Sequence, residues 1–369
     1  MALCHLLFLE ANMIRCENLN RRYAQVKDKY HTLIEDVMER GKVFNGHYTS
    51  VAEHKLQLLT GRKHAVLTSS CSVSLLISMY AAGIGAGDEV IITAYSCPAS
   101  ETFVHLVGAT AVFVDVDNTG NMISDDIEPA ITDSTRAIVA TGLYGDMHDH
   151  TTIQALCTKY NLLYVNDAAQ SMFSHQNNVT SLSTGDVVCM SFAENKPLPS
   201  LATGGAVLTD NTEFYYKFLH LRNHGKPGRR LPYTHFGVRG VPDEDLAVQL
   251  LCTMDCFDQW QQRRLEITDY YDLEFGALDI HLRPHCPEWN SHKYAIMFDD
   301  KFEAQAQLAK LGVETEPHYP NILPQQGHWP GAEYFVKRSL SIPVNAHMTD
   351  DEVEQVVDAV EQVWKKNII

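Results

Sequence analysis

Between residues 65 and 210 the chain keeps returning to one pattern: a short apolar run rich in β-branched residues, a polar turn, and often a stretch of helical periodicity. The runs are AVLTS (65–69), DEVIITA (88–94), AVFVDV (111–116), AIVATG (137–142), LLYVND (162–167), DVVCMSF (186–192) and GGAVLTD (204–210), with helical patterns such as 72–82 and 151–160 between them. Strands that are apolar throughout and joined by helices must be covered on both faces, so the pattern predicts an α/β fold built on a mostly parallel seven-stranded sheet. In such sheets ligands bind beyond the carboxyl ends of the strands. That rule singles out residues 70–72, 95–97, 167–170 and 191–196.

After residue 222 the pattern changes. A basic, Gly- and Pro-rich loop (LRNHGKPGRRLPYTHFGVRGVPDED) leads into a helical pattern from about 244 to 270, a shorter mixed segment and an acidic helix, TDDEVEQVVDAVEQVWKK. The expected organisation is a large domain over 1–245, with no assignment for residues 1–30, and a smaller C-terminal α/β domain over 246–369.

Bulk properties narrow the function. Lys and Arg total 29 against 46 Asp and Glu, a net charge of −17 that repels a phosphate backbone and disfavours nucleic acid as a partner. No apolar run approaches the ~20 residues needed to span a bilayer. The apolar opening has no basic start and carries Glu10, so it does not read as a secretory signal, and a cytoplasmic location is expected. Nine cysteines, an odd number without paired C-x-x-C spacing, fit reduced thiols rather than a disulfide framework or a zinc site, and no metal is expected.

One lysine needs explaining. Lys196, in SFAENKPLPS, follows directly on an apolar strand, where a buried ammonium is costly unless paired or neutralised. An exposed loop lysine is the ordinary alternative. At the other strand ends, TSSCS (68–72) closes a strand and opens a helix, giving either a serine-capped connection or an anion site at Cys71 and Ser72. Asp167, in VNDAAQS, is an acid delivered to the ligand edge, fit to cap a helix, hold a metal or pair with a ring cation; a metal is disfavoured because no second ligand accompanies it. A phosphate cup, an acid for a pyridinium nitrogen, a serine (Ser191) and a lysine able to form a Schiff base are the parts that pyridoxal 5'-phosphate requires.

The stretches GKVFNGHYTSVAEHKLQLLTGRKHAVLTSSCS, AAGIGAGDEVII, GATAVFVDVD, GLYGDM, VNDAAQS, SFAENK with GGAVLTD, RNHG and GVETEPHYP occur in this order from 41 to 320. In them the chain resembles the DegT/StrS-type nucleotide-sugar aminotransferases of the aspartate-aminotransferase fold (fold type I). The resemblance implies that Lys196 carries the cofactor as a Schiff base and relays protons, that Asp167 pairs with the pyridine nitrogen, and that Gln170 faces the ring 3-hydroxyl. It puts Cys71, Ser72 and Ser191 at the phosphate, with Arg239 of a second subunit at or beside the place where the family has an asparagine. Cys97 stands where many members stack an aromatic ring, a role that Tyr95 could take over, and Thr203 replaces the usual acid before the Gly-Gly pair.

The implied reaction moves an amino group from an amino acid, glutamate in most of the family, through pyridoxamine phosphate to a keto group of a nucleotide-linked sugar, in a homodimer with shared sites. His318 and Tyr319 match positions near the sugar. His224 and Arg229, in the basic segment RNHGKPGRR, are candidates for the diphosphate, a solvated loop being the alternative. The rival readings are amination of a cyclitol or a sugar phosphate, and a non-catalytic binding or regulatory protein on the same scaffold. Sugar dehydration in relatives uses histidine at the lysine position, and Lys196 speaks against it.

Overall fold

The computed structural model of this chain describes residues 13–227, 232–233 and 236–367. All seven apolar runs become strands of one sheet: β1 (His64–Thr68), β2 (Glu89–Thr93), β3 (Thr110–Val114), β4 (Thr135–Thr141), β5 (Leu163–Asp167), β8 (Val187–Ser191) and β9 (Gly205–Thr209). A two-residue hairpin, β6 (His175–Gln176) with β7 (Val179–Thr180), lies between β5 and β8. The order across the sheet is β1-β9-β8-β5-β4-β2-β3, and β9 alone runs antiparallel to its neighbours.

Alternate residues of each strand serve opposite faces. Leu67, Val188, Met190, Ala206 and Leu208 pack on one side with residues of helices Leu19–Arg40, His47–Thr60 and Glu244–Met254. Val66, Val187, Cys189 and Val207 pack on the other with helices Cys71–Ala82, Ala99–Leu106 and Thr212–Leu221. A second, two-stranded antiparallel sheet, β10 (Tyr294–Met297) with β11 (Ser339–Ile342), has its own core shared with helices Phe257–Ala277, Lys301–Lys310 and Asp350–Asn367. Helix Pro330–Arg338 lends Phe335 to a cluster joining the two sheets, with Tyr95, Tyr144, Ala295 and Met297.

The single helix expected from about 244 to 270 is two helices, Glu244–Met254 and Phe257–Ala277, with the chain turning at Asp255 and Cys256. Every residue from 246 to 254 is buried, so no polar face marks where the first helix stops. At the turn, Asp255 accepts hydrogen bonds from both Lys29 and Lys55.

Two buried charges tie the first helices to the sheet. Glu244 takes the backbone N–H groups of Gly46, Tyr48 and Thr49 at 2.8, 2.8 and 3.0 Å, a carboxylate placed on the positive end of helix His47–Thr60. Arg222, grouped by the sequence with a basic substrate loop, points inward instead. It is 3% exposed, pairs with Glu53 at 2.7 Å and donates to the Leu67 carbonyl at 2.5 Å, because it caps the end of helix Thr212–Leu221 against β1.

Removing one partner of a buried pair leaves the other unsolvated, so Arg222→Ala should cost about 3–5 kcal/mol. Arg136→Ala, at a half-exposed pair with Asp88, should stay within about 0.5 kcal/mol. Urea unfolding of the two variants checks this, and similar midpoints would refute the structural reading of Arg222.

Candidate active site

The strand ends selected by the sheet rule meet at one edge. Asp167 ends β5, fully shielded, and its Oδ1 accepts the Ala169 N–H at 3.1 Å. Its other neighbours are weak donors: the Cys71 thiol at 3.8 Å and the Thr141 hydroxyl at 3.5 Å. Burial pushes the Asp167 carboxyl above the usual range, opposed by the Ala169 N–H and by Lys196. Among the described residues no Lys, Arg or His forms an ion pair with it.

Lys196 lies on the loop after β8. The loop is fastened from both sides of the lysine: Arg22 donates to Glu194 O at 2.5 Å, and Arg264 donates to Pro197 O at 3.0 Å. Lys196 N donates to Ala193 O at 3.0 Å, while Nζ has no hydrogen-bond or ion-pair partner among the described residues. Burial lowers its pKa, Lys293 lowers it further, and Cys97, Asp167 and Cys71 oppose them. The neutral amine, the form that attacks an aldehyde or takes a proton, is thereby favoured.

The helix beginning at Cys71 starts one residue earlier than its pattern suggested. Ser70 is its N-cap and accepts the Val73 N–H at 3.3 Å, leaving the first backbone N–H groups of the helix, those of Cys71 and Ser72, free for an anion. Gly205 makes this turn possible, since a Cβ there would lie 2.4 Å from Ser70 C and 2.5 Å from Cys71 N. The Cys71 thiol turns towards Asp167, Ser72 is exposed, and Ser191 is buried with its hydroxyl 3.5 Å from Ala193 N.

Gln170 is held at both ends of its amide: Oε1 accepts the Tyr144 N–H at 2.8 Å and Nε2 donates to the Tyr319 hydroxyl at 2.7 Å. Tyr95 is wholly buried between the sheets, 5.3 Å from the Phe335 ring, with its hydroxyl engaged by His318 O and Tyr319 N. Its ring thus serves that core, whereas exposed Cys97 contributes to the field at Lys196. His318 reaches Ser341 Oγ at 3.1 Å and Glu316 at 3.4 Å. His224 and Arg239 are exposed; the Arg239 guanidinium covers the Phe44 ring at 4.6 Å, and the next residue, Gly240, takes the Ser69 N–H at 3.0 Å just before the helix start. Thr203 is also exposed, and Arg229 lies outside the described residues.

Several participants escaped the sequence reading. Lys293 is buried, paired with Glu316 at 3.2 Å and Glu17 at 3.6 Å, and kept charged by them against its burial. The signal used for Lys196, a cation at the edge of an apolar strand, was present in SHKYAIM and would have found it. Thr141, Tyr144 and Arg264 carry no such mark, because only the folded chain brings them beside Asp167, Gln170 and the Lys196 loop.

These residues fit a pyridine cofactor on chemical grounds. Asp167 is a buried acid with only one good donor, a neutral-leaning amine stands in its field, and the free N–H groups of a helix start lie beside them. In sequence, residues 25–361 match the DegT/DnrJ/EryC1/StrS aminotransferase family, and the chain belongs to it. A dTDP-3-amino-3,6-dideoxy-alpha-D-galactopyranose transaminase of Aneurinibacillus thermoaerophilus is 31% identical, over 93% of this chain and 96% of its own. A UDP-2-acetamido-2-deoxy-3-oxo-D-glucuronate aminotransferase of Pseudomonas aeruginosa is 29% identical, over 94% and 99%. Among solved structures, S. venezuelae DesV in complex with a ketimine intermediate superimposes with a TM-score of 0.91 at 27% identity, covering 95% of this chain and 98% of that one. The protein is a pyridoxal-phosphate-dependent aminotransferase.

With its pKa lowered, Lys196 should lose its proton below the ~10.4 of an ordinary lysine. Borohydride trapping of a small aldehyde on cofactor-free protein, followed by peptide mapping, should therefore give a midpoint for Lys196 at lower pH than for exposed lysines. Asp167→Asn removes a negative charge that favours the ammonium and should move the midpoint lower still; a rise would contradict the geometry.

Proposed function

We propose that the protein transfers an amino group from an amino acid, glutamate by family precedent, to a keto group of a nucleotide-linked deoxysugar. The observation that carries this reading is the unpaired Lys196 amine in the field of the buried Asp167 carboxylate, at the carboxyl edge of the sheet. The relatives named above act on UDP- and dTDP-linked sugars, which supports the substrate class.

When bound, pyridoxal phosphate supplies an aldehyde for a lysine amine and an electron-withdrawing ring. Asp167, an acceptor at that edge, would keep a ring nitrogen protonated. The N–H groups of Cys71 and Ser72 with the Ser191 hydroxyl would take the phosphate, and the Gln170 Nε2 would meet a ring oxygen. Lys196 as a free amine would take the proton from the donor carbon in the first half-reaction and, in the second, deliver a proton to the sugar carbon, the cofactor holding a proton between the two halves, and its lowered pKa suits it to proton transfer. Tyr319 and His318, beside Gln170 and Glu316, are suited to face the sugar, and the basic segment RNHGKPGRR, with His224 and Arg229, is the sequence candidate for its diphosphate.

We further infer a homodimer in which Arg239 enters the partner's phosphate site. Exposed Phe44, Val43 and Phe236, at 42%, 41% and 91% exposure, stand in the same part of the surface or chain as Arg239 and support a second copy covering it. No helix among the described residues is long and apolar enough to cross a membrane, and a cytoplasmic location suits such an enzyme.

The purified protein with its cofactor should absorb in the near visible, lose that band on addition of glutamate, and yield a borohydride-fixed label on Lys196. Lys196→Ala should lower turnover by roughly 10²–10⁴-fold or more while the fold is kept. A band that no amino acid alters would refute the transfer reaction.

A further inference from the structure

Behind the Lys196 loop lies a cavity of about 20 Å³, whose walls include Glu17, Arg22, Lys196, Arg264, His292 and His347. Four of these side chains each present a buried nitrogen without a hydrogen-bond partner: Arg22 Nε, Arg264 Nε, His292 Nε2 and His347 Nδ1. They are 4%, 8%, 5% and 8% exposed, so solvent does not satisfy them from outside. Four orphaned nitrogens around one small space are unusual in a folded protein, where buried polar atoms are nearly all paired.

The local charge is unbalanced in one direction. Arg22 is matched by Glu17 at 2.9 Å, and Lys293 by Glu316 at 3.2 Å, with Glu17 also 3.6 Å from Lys293. Arg264 has only neutral acceptors, Pro197 O at 3.0 Å and Gln261 Oε1 at 2.6 Å. Its burial is severe enough to pull the guanidinium down to about 10. Burial also takes His347 down to about 4, and His292 well below its ordinary value, so both imidazoles are neutral at neutral pH, and each donates to the cavity in the tautomer that protonates His292 Nε2 or His347 Nδ1. Of the guanidinium and ammonium groups Arg22, Arg264 and Lys293, Arg264 alone has no carboxylate within 4 Å among the described residues, and a buried charge without a close counter-ion is unfavourable.

We propose that this cavity is a binding site for a single monatomic anion of chloride size, held between the Nε–H groups of Arg22 and Arg264 and the ring nitrogens of His292 and His347. At about 20 Å³ the space suffices for a water-sized sphere, which needs about 10–15 Å³, and so for a monatomic ion. Since Arg22 and Arg264 also grip the carbonyls of Glu194 and Pro197, an anion between them fastens the loop that carries Lys196. It also adds negative charge to the field of Lys196, which is otherwise made by Lys293, Cys97, Asp167 and Cys71, and so favours its ammonium form.

Crystals of the full chain grown in bromide should show an anomalous difference peak inside the ring of four nitrogens. In solution, replacing gluconate by chloride at a constant ionic strength of about 0.15 M should raise the melting temperature by roughly 2 °C. The same exchange should move the aldehyde-trapping midpoint of Lys196 to higher pH. Arg264→Met should abolish both halide responses; if that variant does not fold, His347→Leu, which removes one of the four unpartnered nitrogens and no charge, should weaken them. A water-like peak without anomalous signal, or equal stabilisation by chloride and gluconate, would overturn the assignment. These readouts need no turnover, so they stand or fall separately from the aminotransferase reaction.

Discussion

The active edge is organised around one electrostatic constraint: a lysine amine stands unbonded, with its pKa lowered, while a carboxylate lies in its neighbourhood. An ion pair between Lys196 and Asp167 would hold the lysine as its ammonium. The structure prevents this by holding the backbone rather than the amine. Arg22 and Arg264 secure the carbonyls on either side of the lysine, so Nζ needs no bond of its own to be placed. Lys293, held charged by Glu17 and Glu316, adds a fixed repulsion against a second ammonium.

The sheet supplies the second half of the arrangement. β9 runs against its neighbours, and Gly205 at its start comes within van der Waals distance of the turn that opens helix Cys71–Ala82. That close approach sets the helix start beside the ends of β5 and β8, so free N–H groups, acid and lysine share one edge. From the loop segment that follows the Glu316 bridge to β11, Tyr319 reaches Gln170, and the His318 carbonyl takes the hydroxyls of Tyr95 and Tyr144. These bonds couple the position of Gln170 to the second core.

Cys71 and Cys97 illustrate how a site can change its residues and keep its chemistry. The anion-binding capacity at Cys71 comes from the backbone at a helix start, so the side chain is free to be a thiol turned towards Asp167. Cys97, an exposed thiol, contributes to the field at Lys196. The basic segment is the opposite case, because Arg222, its first member, belongs to the structural framework through Glu53.

The amino-acid sequence by itself determined the layered α/β architecture and singled out Lys196 and Asp167 at the carboxyl edge of the sheet. Apolar strands two-sided in burial leave a direct trace in the residue order, and an acid or lysine at the end of such a strand stands out against them. It did not determine the break at Asp255, because a helix buried all round has no periodicity to read. Nor did it reveal that Tyr95 belongs to the core, that Arg222 is buried, or that Arg22, Arg264, Glu17 and Lys293 surround the Lys196 loop. Those residues are separated by up to hundreds of positions and act through burial and charge, which exist only once the tertiary structure has excluded water and brought them together.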